Sequence, residues 1–239
     1  PTSPSPSTNM SKKVTLNTDI VLFDLDGTLV YTTDVVEALW SEICDQYGVD
    51  KTNFFEHSHG SRTSESFAKF FPMIDNTDNK AVLKLENAIP DLHGDKVRVI
   101  AGAIELLNGL NREKWCIVTS GNNYIAHSWF NSILKTVQKP TTFITAELVS
   151  KGKPDPEGYL KGTEILSKKL GLSSPKSIVF EDAPVGVKAG VAAGATVIGV
   201  SSGFDAQLLY DSGASYVVKD LTQVKVIDGD KITLEVAYD

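Results

Sequence analysis

Two pairs of carboxylates in the chain have a spacing that suits metal and phosphate chemistry. The first pair lies in the segment FDLDGT, where Asp24 and Asp26 follow a short apolar run. Side chains alternate along an extended strand, so these two carboxylates project to the same side. Like charges this close repel each other and favour a bound cation, and hard oxygen ligands suit Mg²⁺. The second pair, Glu181 and Asp182, ends another apolar run in SIVFEDAPVG and could complete the oxygen shell around the same ion.

Two further segments contain groups that could hold an anion. Thr119 ends the apolar run in KWCIVTSG, where its hydroxyl and the free N–H groups of a following helix would form an anion cradle. Lys153 lies in KGKPDP, and the proline after it favours an extended backbone that limits where the ammonium group reaches. Each signal is weak alone, because such a threonine commonly caps a helix and a loop lysine is commonly solvated. Lys151 is the competing candidate for the lysine.

The elements that must position these residues alternate between strands and helices. Apolar runs predict strands over 20–23, 115–119, 142–144, 177–180, 196–200 and 216–218. Apolar periodicity predicts helices over 33–47, 124–134, 156–170, 184–193 and 207–211. This alternation predicts an α/β fold with a Rossmann-like, doubly wound parallel sheet, and such sheets carry their sites at the carboxyl ends of the strands.

The chain between the first two predicted strands shows only helical patterns, near 64–71 and 78–88, which predicts an inserted all-helical cap domain. We expect the core domain over 19–30 and 99–239 and the cap over 31–98. Residues 1–18 are expected to be a disordered extension, because the first of them are rich in proline and serine. The tail VKVIDGDKITLEV predicts a hairpin about Asp228 and Gly229.

Composition excludes several classes of partner. The net charge of −7 argues against nucleic acid, whose phosphates require a basic face. No apolar run approaches the roughly 20 residues that span a bilayer, so no membrane is expected. The two cysteines, Cys44 and Cys116, lie in apolar segments and indicate no disulfide framework, which makes the protein cytoplasmic by expectation. Nothing in the sequence indicates an obligate protein partner.

The order of the four motifs is more specific than any one of them. Asp-x-Asp-Gly-Thr, then Thr-Ser, then Lys-Pro, then Glu-Asp resembles the pattern of the haloacid dehalogenase superfamily from about residue 19 onward. The segments TNFFEHSHGSRT, GKPDPEGYLKG and VFEDAPVGVKAG are similar to the fungal 2-deoxyglucose-6-phosphate phosphatases and the related glycerol-phosphate phosphatases. This resemblance implies Mg²⁺-dependent hydrolysis of a small phosphate monoester, such as 2-deoxyglucose 6-phosphate, through an aspartyl-phosphate intermediate.

The resemblance also implies which residues act on the phosphoryl group. Asp24 would be the nucleophile and Asp26 the general acid–base. Thr119 and Lys153 would hold the phosphoryl oxygens.

The same resemblance implies a metal site and suggests substrate contacts. Asp24, the main-chain oxygen of Asp26 and Asp182 would ligate Mg²⁺, with Glu181 supporting it. The candidate substrate-binding residues lie in the HGSRT segment or just after Thr119: His59, Arg62, Ser120, Asn122 and Asn123. For these the alternatives stay open, since an arginine can form a structural salt bridge and an asparagine can cap a helix.

Three functions remain compatible with the motifs besides the favoured sugar-phosphate phosphatase. The first is a glycerol-phosphate phosphatase. The second is a phosphosugar mutase of the β-phosphoglucomutase type, which would return the phosphoryl group to a sugar. The third is a non-catalytic metabolite sensor, against which the intact carboxylates argue.

Overall fold

The computed structural model describes residues 11–238, and its regular elements alternate as the hydrophobic pattern predicts. The strands are β1 Lys12–Asn17, β2 Ile20–Phe23, β3 Val30–Tyr31, β4 Arg98–Val99, β5 Trp115–Val118, β6 Phe143–Ile144, β7 Ser177–Glu181, β8 Thr196–Val200, β9 Tyr216–Val218, β10 Val224–Asp228 and β11 Thr233–Tyr238. The α-helices are α1 Thr33–Tyr47, α2 Lys51–Ser58, α3 Thr63–Phe70, α4 Lys80–His93, α5 Ala103–Gly109, α6 Asn123–Asn131, α7 Glu157–Leu170, α8 Pro184–Ala192 and α9 Ala206–Asp211.

Six of the strands form the central parallel sheet, in the order β6-β5-β2-β7-β8-β9. All six were predicted from the sequence, and the α/β fold class is confirmed. β2 and β5 are buried along their whole length, as expected of strands covered on both faces. Because β2 lies between β5 and β7, the loops that follow these three strands meet at one edge of the sheet.

Alternating side chains divide the core between the two faces of the sheet. Val21 and Phe23 point into one cluster, which α5 and α6 cover, with Trp115 and Trp129 among its members. The other cluster contains Leu22 and lies under α7, α8 and α9. The helices therefore cover both faces of the sheet, and the polar residues after each strand are left at its edges.

The prediction that residues 1–18 form a disordered extension is wrong for its second part, because β1 lies there. β1 pairs antiparallel with β11, from Lys12 opposite Tyr238 onward, and β10 pairs with the other side of β11. Val14 and Leu16 pack against the core cluster, which stabilises the strand. The partner strand lies more than 200 residues away, so no local pattern marks the pairing. Residues 1–10, on which the rest of the prediction falls, lie outside the described residues, whereas the hairpin of β10 and β11 is confirmed.

Helices α1–α4 form a cap between β3 and β4, which pair antiparallel as the two-stranded base of the insertion. The cap has its own aromatic core, in which Trp40 contacts Phe54, Phe67 and Phe71 at ring-centroid distances of 4.8, 5.0 and 5.7 Å. Helix α2 was not predicted, because its sequence KTNFFEHS has a weak apolar stripe. We propose that the short ladder at the base is where the core ends and the cap begins.

Among residues 11–238, none of the helices combines the length and the apolar character needed to cross a membrane.

Candidate active site

Three carboxylates meet where β2 and β7 end. These strands pair in parallel with Phe23 opposite Phe180, so the residues that follow them come to the same edge of the sheet. Asp24, Glu181 and Asp182 each have a carboxylate oxygen within 4.8 Å of the others. The structure therefore brings the two acidic pairs of the sequence together.

Lys153 lies within this acidic cluster. Its Nζ donates to Asp24 Oδ1 at 2.7 Å, to Glu181 Oε1 at 2.6 Å and to the main-chain oxygen of Val118 at 3.1 Å. Burial by itself would lower the pKa of Lys153, but the two carboxylates outweigh it and raise that pKa. The side chain is 7% exposed and remains an ammonium group, whereas Lys151 is exposed to solvent.

Glu181 is saturated with hydrogen bonds. Besides the bond from Lys153, it accepts a hydrogen bond from the hydroxyl of Tyr159 at 2.7 Å. It also accepts hydrogen bonds from the main-chain N–H groups of Asp182 and Ala183 at 3.1 and 3.4 Å. Burial, followed by the charge of Glu181, raises the pKa of Tyr159 far above its usual range, so this phenol stays a donor. Glu181 thus holds Lys153 in place. Sequence reasoning missed Tyr159, because nothing local distinguishes it from any other helical tyrosine.

The acidic cluster fits a divalent cation. Its three buried carboxylates face one ammonium group, so negative charge is left over. Burial, and then the charges of Asp24 and Glu181, raise the pKa of Asp182, so this carboxylate ionises readily only beside a positive charge. Gly27 has a φ of +91°, and a Cβ there would collide with the carboxylate of Asp182, so the glycine leaves room for the ligand group.

Asp26 lies beside this cluster, at the bottom of a cavity. Its Oδ1 accepts a hydrogen bond from the hydroxyl of Thr32 at 3.2 Å, and its Oδ2 lies 3.5 Å from the hydroxyl of Thr119. Burial, with a further contribution from the charge of Asp24, raises the pKa of Asp26 to about 6. A carboxyl group with this pKa can hold or release a proton near neutral pH.

The cavity above these residues lies between the core and the cap and has a volume of about 130 Å³. Its floor comes from residues after the strands, including Asp24, Asp26, Thr119 and Asp182. Its roof comes from the cap, which contributes six apolar side chains together with several hydroxyl groups, His59 and Glu86. The space is several times that of a water molecule, so it suits a small ligand.

Two of the predicted substrate-binding residues line this cavity. The hydroxyl of Ser120 donates to the main-chain oxygen of Gly60 at 2.7 Å and so links the core to the cap. The ring of His59 lies between two acceptors, with Nδ1 2.8 Å from the main-chain oxygen of Phe55 and Nε2 2.8 Å from Glu37. His59 can therefore reach a ligand only by giving up one of these contacts.

Arg62 is not among the residues that line the cavity. Its guanidinium group forms a salt bridge with Glu65 at 2.7 Å and donates to the main-chain oxygens of Val149 and Ser150 at 2.9 and 3.0 Å. Val149 and Ser150 belong to the core, so Arg62 braces the cap against it. The structural salt bridge that the sequence left open is thus present.

Asn122 and Asn123 also lie outside the cavity lining. The side chain of Asn122 accepts the N–H of Ile125 at 2.9 Å and caps the start of α6. The N–H of Asn123 donates to Glu147 at 2.9 Å, and Asn123 itself is exposed. For Asn122 the structure shows the capping alternative.

One carboxylate of the cavity was missed by sequence reasoning. Glu86 on α4 is 4% exposed, lines the roof, and accepts the N–H of Asn122 at 2.7 Å through Oε2. Burial raises its pKa to about 7. Glu86 shares the buried side of α4 with Val82 and Ile89, so an acidic residue on an apolar helical face was the signal that could have revealed it.

Comparisons with known proteins agree with this geometry. Residues 21–200 match the family described as Haloacid dehalogenase-like hydrolase. The chain is 50% identical to 2-deoxyglucose-6-phosphate phosphatase 2 of Saccharomyces cerevisiae, over 89% of this chain and 92% of that protein. It is 39% identical to glycerol-1-phosphate phosphohydrolase 1 of the same yeast, over 95% of this chain and 92% of that protein.

A solved structure has a similar fold over most of this chain. A hydrolase from Pseudomonas syringae superposes with a TM-score of 0.68 at 27% identity, over 85% of this chain and 94% of that one. The similarity therefore extends over most of the fold described above.

Proposed function

Since the chain belongs to the haloacid dehalogenase-like hydrolase family and is a phosphatase, we propose that it hydrolyses a small sugar or polyol phosphate. The favoured substrate is 2-deoxyglucose 6-phosphate, and glycerol phosphate is the second candidate, because yeast relatives with those names are 50% and 39% identical to this chain. The observation that carries the chemistry is the buried contact of Asp24 with Lys153, beside Asp26, at the floor of the cavity.

Asp24 is the proposed nucleophile. One of its carboxylate oxygens attacks phosphorus, the new P–O bond forms, and the bond from phosphorus to the ester oxygen breaks. Lys153 offsets the negative charge of Asp24 and of the phosphoryl oxygens, so that an anionic nucleophile can approach an anionic ester. The hydroxyl of Thr119 is placed to donate to a phosphoryl oxygen.

Asp26 is the proposed general acid and base. Its protonated carboxyl, with a pKa of about 6, gives its proton to the departing alkoxide. Its carboxylate then takes a proton from the water that attacks phosphorus of the aspartyl phosphate. The P–O bond to Asp24 breaks, inorganic phosphate leaves, and both side chains return to their starting states.

Mg²⁺ is the proposed cofactor. Asp24, Asp182 and the main-chain oxygen of Asp26 would hold the ion, with Glu181 supporting the site through Lys153. When bound, the ion supplies positive charge that lowers the repulsion between the nucleophile and the phosphoryl oxygens. A thermal-denaturation series tests this assignment independently of turnover. Mg²⁺ should raise the melting temperature of the wild-type protein by mass action and raise that of Asp182→Asn much less.

The proposed reaction is tested by following inorganic phosphate and sugar isomers from 2-deoxyglucose 6-phosphate, glycerol phosphate and a hexose phosphate in the presence of Mg²⁺. We expect phosphate release from the first two, and an acid-stable phosphoryl adduct on the protein in rapid-quench samples. Isomer formation without phosphate release would indicate the mutase, and binding without turnover would indicate the sensor. Full activity after exhaustive chelation would exclude the metal assignment.

A further inference from the structure

The roof of the cavity combines apolar side chains with hydroxyl groups, one histidine and one buried carboxylate. Helix α4 contributes Leu85 and Ile89 on either side of Glu86, and α1 adds Val36. In the segment 31–98, Glu86 is the one carboxylate that lines the cavity, and no lysine or arginine of that segment lines it. The roof thus presents a single negative group to whatever part of the substrate lies away from the reacting centre.

The contacts of Glu86 within the protein come from neutral donors. The main-chain N–H of Asn122 donates to its Oε2 at 2.7 Å, and the hydroxyl of Thr63 is also hydrogen-bonded to it. The negative charge of Asp26 lies near enough to disfavour its ionisation further. A buried carboxylate without a cation costs free energy, so the stability of the fold does not account for its presence at this position.

The other polar side chains at the roof are neutral hydroxyl groups and His59, and Arg62 lies outside the cavity lining. Arg62 is engaged by Glu65 and by main-chain oxygens of the core. His59 is engaged by Glu37. Of the acceptors at the roof, Glu86 makes the strongest hydrogen bonds with hydroxyl groups, because an O–H bond to a carboxylate is shorter and stronger than one to a neutral oxygen.

We propose that Glu86 is a specificity-determining residue, which accepts hydrogen bonds from hydroxyl groups of the substrate and repels esters that carry a second anionic group. This inference rests on the proposed function, in which Lys153 and Thr119 hold the phosphoryl end at the floor. A substrate bound the other way round would place its phosphate against Glu86 and is disfavoured. The ligand class that fits is a phosphate monoester with an uncharged, polyhydroxylated tail.

The variant Glu86→Gln tests the proposal, because it keeps the shape of the side chain and removes its charge. Three small esters are compared at pH 8, where Glu86 of the wild type is mainly ionised. Glycerol phosphate has hydroxyl groups in its tail, propyl phosphate has none, and phosphoglycolate carries a second anion. The kcat/KM for glycerol phosphate should fall about tenfold. That for propyl phosphate should change by no more than about twofold, and that for phosphoglycolate should rise about tenfold.

A matched control is available at the start of α6, where a second carboxylate accepts a main-chain N–H group. Glu147 accepts the N–H of Asn123, just as Glu86 accepts that of Asn122, but Glu147 is exposed and lies outside the cavity lining. Glu147→Gln should leave the ratios among the three esters unchanged. Melting temperatures of both variants establish that they are folded.

The outcomes separate this inference from the function on which it rests. A wild-type protein that prefers glycerol phosphate, with ratios that Glu86→Gln leaves unchanged, would overturn the inference alone. An equal loss of kcat/KM on all three esters would show that Glu86 only holds the cap closed. If Glu147→Gln changed the ratios among the esters as Glu86→Gln does, the effect would belong to the start of α6. Either result overturns the inference. A wild-type protein that prefers phosphoglycolate would contradict the proposed function as well.

Discussion

At the floor of the cavity the charged groups hold one another, whereas at the roof the buried carboxylate is held by neutral donors. Below, the ammonium of Lys153 lies between the carboxylates of Asp24 and Glu181. Above, Glu86 accepts a main-chain N–H of Asn122. Changing one charge at the floor leaves another buried without its partner, whereas removing the charge of Glu86 at the roof leaves only neutral donors behind.

This difference indicates that the floor and the roof have different roles. In the function proposed above, the floor contacts the phosphoryl group, which is common to every phosphate monoester, so its residues should matter for all substrates alike. In the same proposal the roof faces the variable part of the ester, and it joins the cap to the core through the contact of Ser120 with Gly60. Its residues should therefore affect selectivity, closure of the cap or stability.

The strongest test of the floor is Asp24→Asn. The neutral amide is a poor nucleophile and a weak metal ligand, so we expect kcat to fall at least about 10⁴-fold for every ester. Phosphate release from 2-deoxyglucose 6-phosphate and from p-nitrophenyl phosphate is the measurement. Near-normal turnover on either ester would remove Asp24 from its role.

Asp26→Ala tests the proton transfer at the floor. For alkyl phosphates we expect a loss of about 10²–10⁴-fold, the usual contribution of general acid–base catalysis. The loss should be smaller for p-nitrophenyl phosphate, because its leaving group needs no proton. Equal losses on alkyl and aryl esters would leave the assigned role of Asp26 without support.

Arg62→Ala tests the contact between cap and core. Because Arg62 donates to Val149 and Ser150 and lies outside the cavity lining, kcat/KM should fall by a similar factor, roughly 10–100-fold, for sugar and aryl esters. The melting temperature should fall as well.

The control for this variant is Arg112→Ala. Arg112 forms an exposed pair with Glu113, so its loss should have little effect on either quantity. A loss in Arg62→Ala that is confined to the sugar phosphate would instead show that Arg62 contacts the substrate.

The smallest expected effect is that of Glu86→Gln on stability. The difference in the free energy of unfolding between this variant and the wild type should depend on pH. The pKa of Glu86 is raised from 4.5 to about 7, so the folded state binds the proton more tightly than the unfolded chain does. Stability associated with this group is thus present at low pH and is lost as the pH rises from about 4.5 to 7, by up to about 3 kcal/mol. Glutamine does not ionise and avoids this loss.

The melting temperature of Glu86→Gln relative to wild type should therefore be higher at pH 8 than at pH 5. Glu147→Gln is the control, because an exposed carboxylate carries little desolvation cost. A difference between Glu86→Gln and wild type that does not vary between these two pH values would contradict the raised pKa.

The sequence by itself determined the parallel sheet and the floor of the site. Each strand of the central sheet is a short apolar run, and Asp24, Thr119 and Asp182 follow such runs directly. Because parallel strands bring their carboxyl ends to one edge, a local pattern was enough to predict that these residues meet.

Only the tertiary structure decided the pairing of β1 and the contents of the roof. The partner of β1 lies at the other end of the chain, and strand pairing over such a distance leaves no periodic signal. In the cap, the contacts of Arg62 and the burial of Glu86 depend on how the cap helices pack on the core. A polar side chain at a helix surface has several possible partners in three dimensions, and the periodicity of its own helix does not choose between them.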